Sequence, residues 1–460
     1  MAGIGWRLEK MMDRDSLSGS LGAFITGVAV TSGPWLLTTL VLVLVRIGAA
    51  QSLSLQVMQV EQVITVVYAT VIVLSAPIDI VLSRFAADRV YEKRRDQIAA
   101  PLRTVVSVCL LGFMVIGAIA MKLAGFPREL AVPGTMLAAI VAAQWLLLSA
   151  AGGLSSPGII VRAFAAGAPL SVVAAYTLPQ LELFGATGYL YGYGVGQLVT
   201  LGLLLHGTMR ALPDEEDEAA NLGNAFSEYW MLAAAAFCFH AGLWVDKVIL
   251  YVTGAEGAPI YAACAAIAWL TVVPAAAFLF VNIETVFHRR FRAYYAALHA
   301  GASLPELERL VRDLRTEVNE TLRGTSAVQA GVTLIAIMSA PAIVGALRLP
   351  ANHDITLAWL LLGAGLQVVA VSTTLLLYYF DFRREALLTA SAQLVANGLL
   401  TFAIGGDSQA LGLGYAAACA ITCVVSLALL RRRMAGLLER TFQSQPYLSE
   451  DVGNLELGPV

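Results

Sequence analysis

Apolar residues fall along this chain in long runs, not in the alternation of a half-buried strand or the one-sided stripe of a soluble helix. Twelve runs stand out, at 21–45, 62–83, 104–122, 131–153, 165–181, 187–206, 227–252, 258–283, 326–347, 356–380, 385–404 and 411–430. An α-helix rises ~1.5 Å per residue, so about 20 apolar residues cross the hydrocarbon layer. The pattern predicts an all-α polytopic membrane protein with twelve transmembrane helices. Between the runs lie short polar connections that leave no room for a folded soluble domain.

The basic residues orient this arrangement, because cytoplasmic loops are enriched in Lys and Arg. With the N-terminus inside, 24 of the 29 basic residues fall in inner segments and 4, namely Arg46, Lys122, Arg128 and Arg348, in outer ones. Lys247 lies within a run. The split predicts that both termini are cytoplasmic. Residues 1–19 do not read as a cleavable leader, since Glu9, Asp13 and Asp15 precede an apolar run too long for one. Ile4, Leu8 and Met11 instead have helical spacing beside Trp6, Arg7 and Lys10, the pattern of a short interfacial helix.

Two stretches recur. Pro77-Ile78-Asp79-Ile80-Val81-Leu82-Ser83-Arg84 closes run 2, and Asn282-Ile283-Glu284-Thr285-Val286-Phe287-His288-Arg289 closes run 8. Gly188-Tyr189 in run 6 is matched by Gly414-Tyr415 in run 12. Matches in the same order imply two six-helix halves. Six is even, so both start on the same side and the repeat is parallel. The expected organisation is an interfacial helix at 1–19, an N-lobe at 20–210, an acidic linker at 211–226, a C-lobe at 227–430 and a cytoplasmic tail at 431–460. A helical cytoplasmic loop at 288–325 belongs to the C-lobe. In that loop Ser303 and Glu306 have capping-box spacing, Pro305 falls in the first turn, and Leu307, Leu310, Val311, Leu314, Val318 and Leu322 follow helical spacing. Such a helix lies along the membrane, packs under the C-lobe or docks a cytoplasmic partner.

Composition narrows the function. The chain is 58% hydrophobic and 13% charged, about half the charge of a soluble domain. A net charge of -3 offers no basic face to nucleic acid. The five cysteines, Cys109, Cys238, Cys264, Cys419 and Cys423, lie in apolar runs without nearby His or carboxylate, as packing residues and not metal ligands. None of the lysines sits in a phosphate-binding loop. Gly188, Gly192 and Gly196 form a smooth face for helix packing and not a dinucleotide loop. Neither an enzyme nor a cofactor is expected.

The informative residues are charges within the runs, each costing about 2.5–3.5 kcal/mol at a helix centre on insertion scales. Asp246 and Lys247 lie in run 7 after His240 and Trp244, which share a face. These four are candidates for a polar stripe along a substrate path, with interhelical pairing or snorkelling as the alternative. Neighbours on a helix point ~100° apart, so Asp246 and Lys247 need not pair with each other. Asp79 and Glu284, the repeat-related acids, are candidates for an inner gate with Arg84 and Arg289, or for helix-end anchoring. An acid at a helix C-terminus opposes the dipole, which disfavours anchoring. Ser32-Gly33-Pro34-Trp35 interrupts run 1 as a candidate hinge, and Pro77 and Pro274 add bends. Tyr189, Tyr191 and Tyr193 near the outer end of run 6 fit an aromatic belt, with stacking on sugar rings as the alternative.

Met1-Ala2-Gly3-Ile4-Gly5, Ser32-Gly33-Pro34-Trp35, and Tyr378-Tyr379-Phe380-Asp381 with Arg383-Arg384 resemble the PelG family, the inner-membrane transporter-like proteins of bacterial Pel exopolysaccharide systems. That family belongs to the multidrug/oligosaccharidyl-lipid/polysaccharide exporter superfamily. The resemblance covers nearly the whole chain up to about residue 440. It implies a MATE-like flippase fold in the bacterial cytoplasmic membrane and export of a polymer rich in N-acetylgalactosamine and galactosamine. It also implies a cytoplasmic glycosyltransferase and a cyclic-di-GMP receptor as partners. Ser32, Gly33, Pro34, Trp35, Asp381, Arg383 and Arg384 are the family-like positions. A cation-coupled multidrug antiporter and a non-transporting scaffold for a synthase are the alternatives.

Overall fold

The structure, a computed structural model, describes residues 54–154, 157–181, 184–213, 222–255, 257–346, 349, 353–405 and 411–443, together with Gly22, Phe24 and Val28. The expected interfacial helix at 1–19 and the Ser32-Gly33-Pro34-Trp35 hinge lie outside the described residues. The described chain is helical, with no strand.

Five long helices form the first half: α1 (Ser54–Tyr91), α2 (Ala99–Leu123), α3 (Arg128–Gly153), α4 (Pro157–Thr177) and α5 (Gly188–Arg210). The second half comprises α6 (Leu222–Val252), α7 (Ala258–Leu270), α8 (Val273–Asn282), α9 (His288–His299), α10 (Leu304–Met338), α11 (Ala340–Ala346), α12 (Asp354–Tyr379), α13 (Arg383–Ile404), α14 (Leu413–Ala435) and α15 (Leu437–Gln443). Among the described residues nine helical stretches are long and apolar enough to cross a membrane, or ten if α10 and α11, bent by 59°, form one span. The chain is a multi-pass membrane protein. The difference from twelve has local causes. Run 1 lies outside the described residues. Run 6 forms α5, whose glycines and tyrosines dilute its apolarity.

Three elements depart from expectation. Run 8 is broken: α7 stops at Leu270, and α8 restarts with Pro274 in its first turn, where a missing N–H is harmless. A π-helical turn at Ile283–Phe287 then carries the chain into α9 without interruption. Run 9 is not a separate helix, because α10 starts at the cytoplasm-type sequence after Ser303 and continues into the apolar stretch. Ser303 is the N-cap, but its side chain makes no capping hydrogen bond. Its carbonyl alone accepts from the amides of Glu306 and Leu307, both at 3.0 Å. The spacing located the helix start while the capping box itself does not form. The first half of α10 packs under the second half of the molecule: Leu307, Val311, Leu314 and Val318 share a buried cluster with Leu376, Phe380 and Leu430.

Packing divides the chain into two bodies. One buried cluster draws its members from Val60 to Leu212, that is, from α1–α5 and the residues just after. Two others draw theirs from Leu250 to Leu437. The pairings recur in order. α1 and α2 pack on α3, α3 on α5, and α4 on α5. Likewise α7 and α10 pack on α12, α12 on α14, and α13 on α14. The repeat-related glycines play the same part in each. A Cβ on Gly188 would come within 2.6 Å of the Pro179 nitrogen, and one on Gly414 within 3.0 Å of the Thr401 nitrogen. On α5 the smooth face continues: a Cβ on Gly192 would meet the Ala175 nitrogen at 2.3 Å, and one on Gly196 the Gly167 carbonyl at 2.4 Å. Backbone therefore lies on backbone between α4 and α5.

Candidate transport site

Two constellations of charge stand out. The first lies in the second body. Asp246 is 0% exposed, and Lys247 Nζ stands 2.9 Å from its Oδ2. Tyr261 of α7 donates to the same oxygen at 2.5 Å, and Lys247 donates to the Leu243 carbonyl at 3.0 Å. Around the ammonium stand four rings: Trp269 at 4.7 Å, Tyr415 at 5.4 Å, Tyr261 at 5.6 Å and Trp244 at 6.0 Å from their centroids. Adjacent residues on a helix do not face each other, yet these pair, because the four-carbon lysine stem folds back across the ~100° between them. The cluster joins α6, α7 and α14 by satisfying a charge that each helix alone could not bury.

His240 does not join this cluster. Its Nδ1 stands 2.8 Å from the Ala236 carbonyl one turn back, and its ring meets Phe239 edge-on at 5.2 Å. Trp244 does join, with its ring 5.6 Å from Trp269. Of the expected four-residue stripe, the structure thus brings Trp244 against the Asp246–Lys247 ion pair and sets the histidine apart.

The second constellation lies where the two bodies meet at their arginine-rich end. Val81 and Phe85 of α1 share a buried cluster with Ala225, Tyr229 and Leu232 of α6. Tyr229 donates to Asp88 at 2.6 Å across that seam, and Arg84 reaches the Tyr378 carbonyl at 3.5 Å. Arg383 stacks over the Tyr229 ring at 4.9 Å while holding Asp381 at 2.8 Å and the Glu228 carbonyl at 3.1 Å. Asp381 turns the chain between α12 and α13 in the left-handed region, φ 53°. Arg384 is exposed. Arg433 pairs with Glu385 and covers the Phe382 ring, and Arg290 pairs with Glu317 at 3.1 Å. Family-like Asp381 and Arg383 therefore brace α6, on which the seam is built.

The repeat-related acids sit differently from expectation. α1 continues to Tyr91, and Glu284 lies in a π turn between α8 and α9, so neither acid is at a helix C-terminus and the dipole argument does not apply. Asp79 forms no ion pair with Arg84 among the described residues. Its carboxyl lies against Ser149 of α3, and Oδ1 is buried without a hydrogen-bond partner. Glu284 accepts from Tyr379 of α12 at 3.4 Å. Arg289 acts electrostatically on Glu317 from the first turn of α9. Two of the three α5 tyrosines also differ from a belt. Tyr189 and Tyr193 are buried, and the Tyr193 hydroxyl shares a 2.7 Å hydrogen bond with that of Tyr68. The glycine face on α5 draws their side of the helix into the core.

A signal of period four went unread in the sequence. Glu317, Thr321, Thr325, Gln329 and Thr333 on α10, and Glu385, Thr389, Gln393, Asn397 and Thr401 on α13, are all buried. Side chains four apart lie on one face, and these stripes bond neighbouring helices. Asn397 donates to the Gly242 carbonyl of α6 at 2.8 Å, and Thr321 to Asn282 at 3.3 Å. The α13 stripe falls within run 11, whereas the α10 stripe starts in the polar segment before run 9, so the i, i+4 pattern shows only when both are read together.

Comparison with known proteins places this architecture. A comparison with curated proteins returned no match. Among solved structures the chain is similar to a MATE protein crystallised in the bent conformation, at 14% identity and TM-score 0.64 over 95% of this chain and 97% of that one. It is also similar to the inward-facing conformation of a multidrug resistance MATE family transporter of the MOP superfamily, at 13% identity and TM-score 0.62 over 87% and 96%. The outward-facing conformation of such a transporter aligns at 15% identity and TM-score 0.56 over 90% and 96%. These likenesses concern the fold. The model of the PelG family, described as "Putative exopolysaccharide Exporter (EPS-E)", matches residues 1–442. With nearly the whole length matched, the chain belongs to the PelG family of exopolysaccharide exporters.

Proposed function

We propose that this protein moves a Pel-type polysaccharide, rich in N-acetylgalactosamine and galactosamine, across the bacterial cytoplasmic membrane between two parallel six-helix lobes. In this reading twelve spans place both termini and the arginine-rich end in the cytoplasm. The lobes are 20–210 and 227–430, joined by the acidic linker 211–226. The observation that carries it is the two-body packing: each half has its own core, and they meet at a seam with a separate small cluster. Bodies joined this way can rock apart without disturbing either interior. Ser32, Gly33, Pro34 and Trp35 serve as the hinge of the first span. Asp79, Arg84, Glu284 and Arg289 mark the inner gate, and His240, Trp244, Asp246 and Lys247 the C-lobe wall of the path. A cytoplasmic glycosyltransferase feeds the polymer in, and a cyclic-di-GMP receptor of the same system controls it.

The test is a deletion strain complemented with the wild-type gene or with Pro34→Ala, Asp79→Ala or Asp246→Ala, scored for secreted polymer and for synthase folding. Loss of secretion with an intact synthase is expected. Normal secretion without the protein overturns the reading, and full tolerance of all three variants favours a scaffold. A cation-coupled antiporter is the second reading, favoured by the unpartnered Asp79 Oδ1. It predicts that purified protein in liposomes moves small organic cations on an ion gradient.

A further inference from the structure

The arginine-rich end carries a cavity that neither the seam nor the ion pair uses. It has a volume of about 490 Å³ and opens between α10 and α14, with Val369 of α12 behind it. Its depth relative to the bilayer can be read from the chain. Arg323 is the last charged residue of α10 before its apolar stretch, and Arg431 is the first on α14 after its own. Both line the cavity, so it sits where hydrocarbon gives way to headgroups.

Charge and shape agree on the kind of occupant. Arg315 caps α14, donating to the carbonyls of Met434 at 2.9 Å and Ala435 at 2.8 Å, and so closes one end. Arg323 and Arg431 are exposed, and among the described residues neither has a protein group as hydrogen-bond, ion-pair or ring partner. Asn319 and Ser326 contribute neutral polar groups to the lining, which includes no Asp or Glu. The remaining wall is apolar, formed by Val318, Leu322 and Leu427 with their neighbours. Two free guanidiniums beside an apolar slot fit an amphiphile with an anionic head. A soluble anion would leave the apolar wall wet.

We propose that this cavity binds an anionic phospholipid from the leaflet at the arginine-rich end, its phosphate between Arg323 and Arg431 and an acyl chain along Val318, Leu322 and Leu427. Guanidinium groups form paired, charge-assisted hydrogen bonds with phosphate. Bound there, the lipid ties α10 to α14 and so stiffens the underside of the second body. The inference is independent of which substrate is carried.

The experiment uses the full-length protein in neutral detergent, titrated with phosphatidylglycerol or phosphatidylcholine and followed by native mass spectrometry and thermal unfolding. Phosphatidylglycerol should give adducts and raise the unfolding midpoint, and phosphatidylcholine should do neither. Each arginine near the surface contributes about fivefold in affinity, so R323Q/R431Q should bind about 25-fold more weakly. R323K/R431K should keep most of the binding, and lipid-free R323Q/R431Q should melt near the wild type, which separates a lost site from misfolding. Equal binding of the two lipids overturns the proposal, as does undiminished binding by R323Q/R431Q. An equal effect of glycerol phosphate would make this a soluble-anion site instead. The segment after Gln443 carries Glu450, Asp451 and Glu456 and is the competing occupant. If phosphatidylglycerol binds only after residues 444–460 are removed, that segment fills the cavity and the proposal falls.

Discussion

An ammonium group buried among four aromatic rings persists because every alternative is worse. The Lys247 side chain is only 8% exposed, and Asp246 without it would be an uncompensated charge at 0% exposure. Removing one member of such a pair costs about 3–5 kcal/mol, whereas replacing both by apolar residues of similar volume is often neutral. Lys247→Met should therefore lower stability by about that amount, seen as a fall in the thermal unfolding midpoint in detergent. Asp246→Leu with Lys247→Met should recover most of the loss. A single variant as stable as the wild type would show that the ion pair carries no structural weight. If the double variant is stable but exports no polymer, the pair serves transport and not folding. The sequence showed that these charges were anomalous. That Lys247 folds back onto its neighbour, and that Tyr261, Trp269 and Tyr415 complete the box, depends on helices distant in the chain.

Helices in this fold are held by what they lack as much as by what they carry. Where α5 lies on α4, a methyl group on Gly192 would sit 2.3 Å from the Ala175 nitrogen, while one on Gly194 meets nothing within 4 Å. Gly192→Val should separate the two helices and sharply reduce the yield of monodisperse protein. Gly194→Ala should be tolerated and even gain ~0.5–1 kcal/mol of helix propensity. Size-exclusion chromatography and thermal unfolding of the two variants check this; similar behaviour of both would refute the packing role of the face. The glycine spacing was legible in the sequence because the signal is local. The continuity of α10 from the polar helix into the apolar span was not, since Gly324 after Arg323 reads locally as a helix end, yet the helix runs through it. Only the packing of Leu307, Val311 and Leu314 beneath α12 and α14 settles where that helix lies.

At the scale of the molecule, the two bodies meet where α1 packs along α6, and a short hydrogen bond ties the arginine-rich end of that contact. Tyr229 donates to Asp88 at 2.6 Å, and a hydrogen bond to a charged group contributes about 1.5–3 kcal/mol. Tyr229→Phe should shift the population toward an open seam by about tenfold or more. A cysteine introduced at Val81, buried in the seam, reports this as faster labelling by a membrane-impermeant maleimide from the arginine-rich side. Cross-linking Asp88→Cys to Tyr229→Cys with a bismaleimide should hold the seam closed and stop polymer export. Unchanged labelling in Tyr229→Phe, or export by the cross-linked protein, would mean that the seam is not a gate.

The amino-acid sequence by itself determined the membrane class, most of the helical spans and the family, because each is written in composition, local periodicity or short motifs. It also marked Asp246, Lys247, Asp79 and Glu284 as charges needing an explanation. The tertiary structure decided what explains them: a ring of aromatics from α6, α7 and α14 for the lysine, Ser149 beside Asp79, and Tyr379 for Glu284. It likewise turned Tyr189 and Tyr193 inward and built the seam from Asp88 and Tyr229. The physical reason is the same throughout. Burial in lipid is a property of each residue and its near neighbours, whereas the partner of a buried polar group comes from whichever helix packing brings beside it.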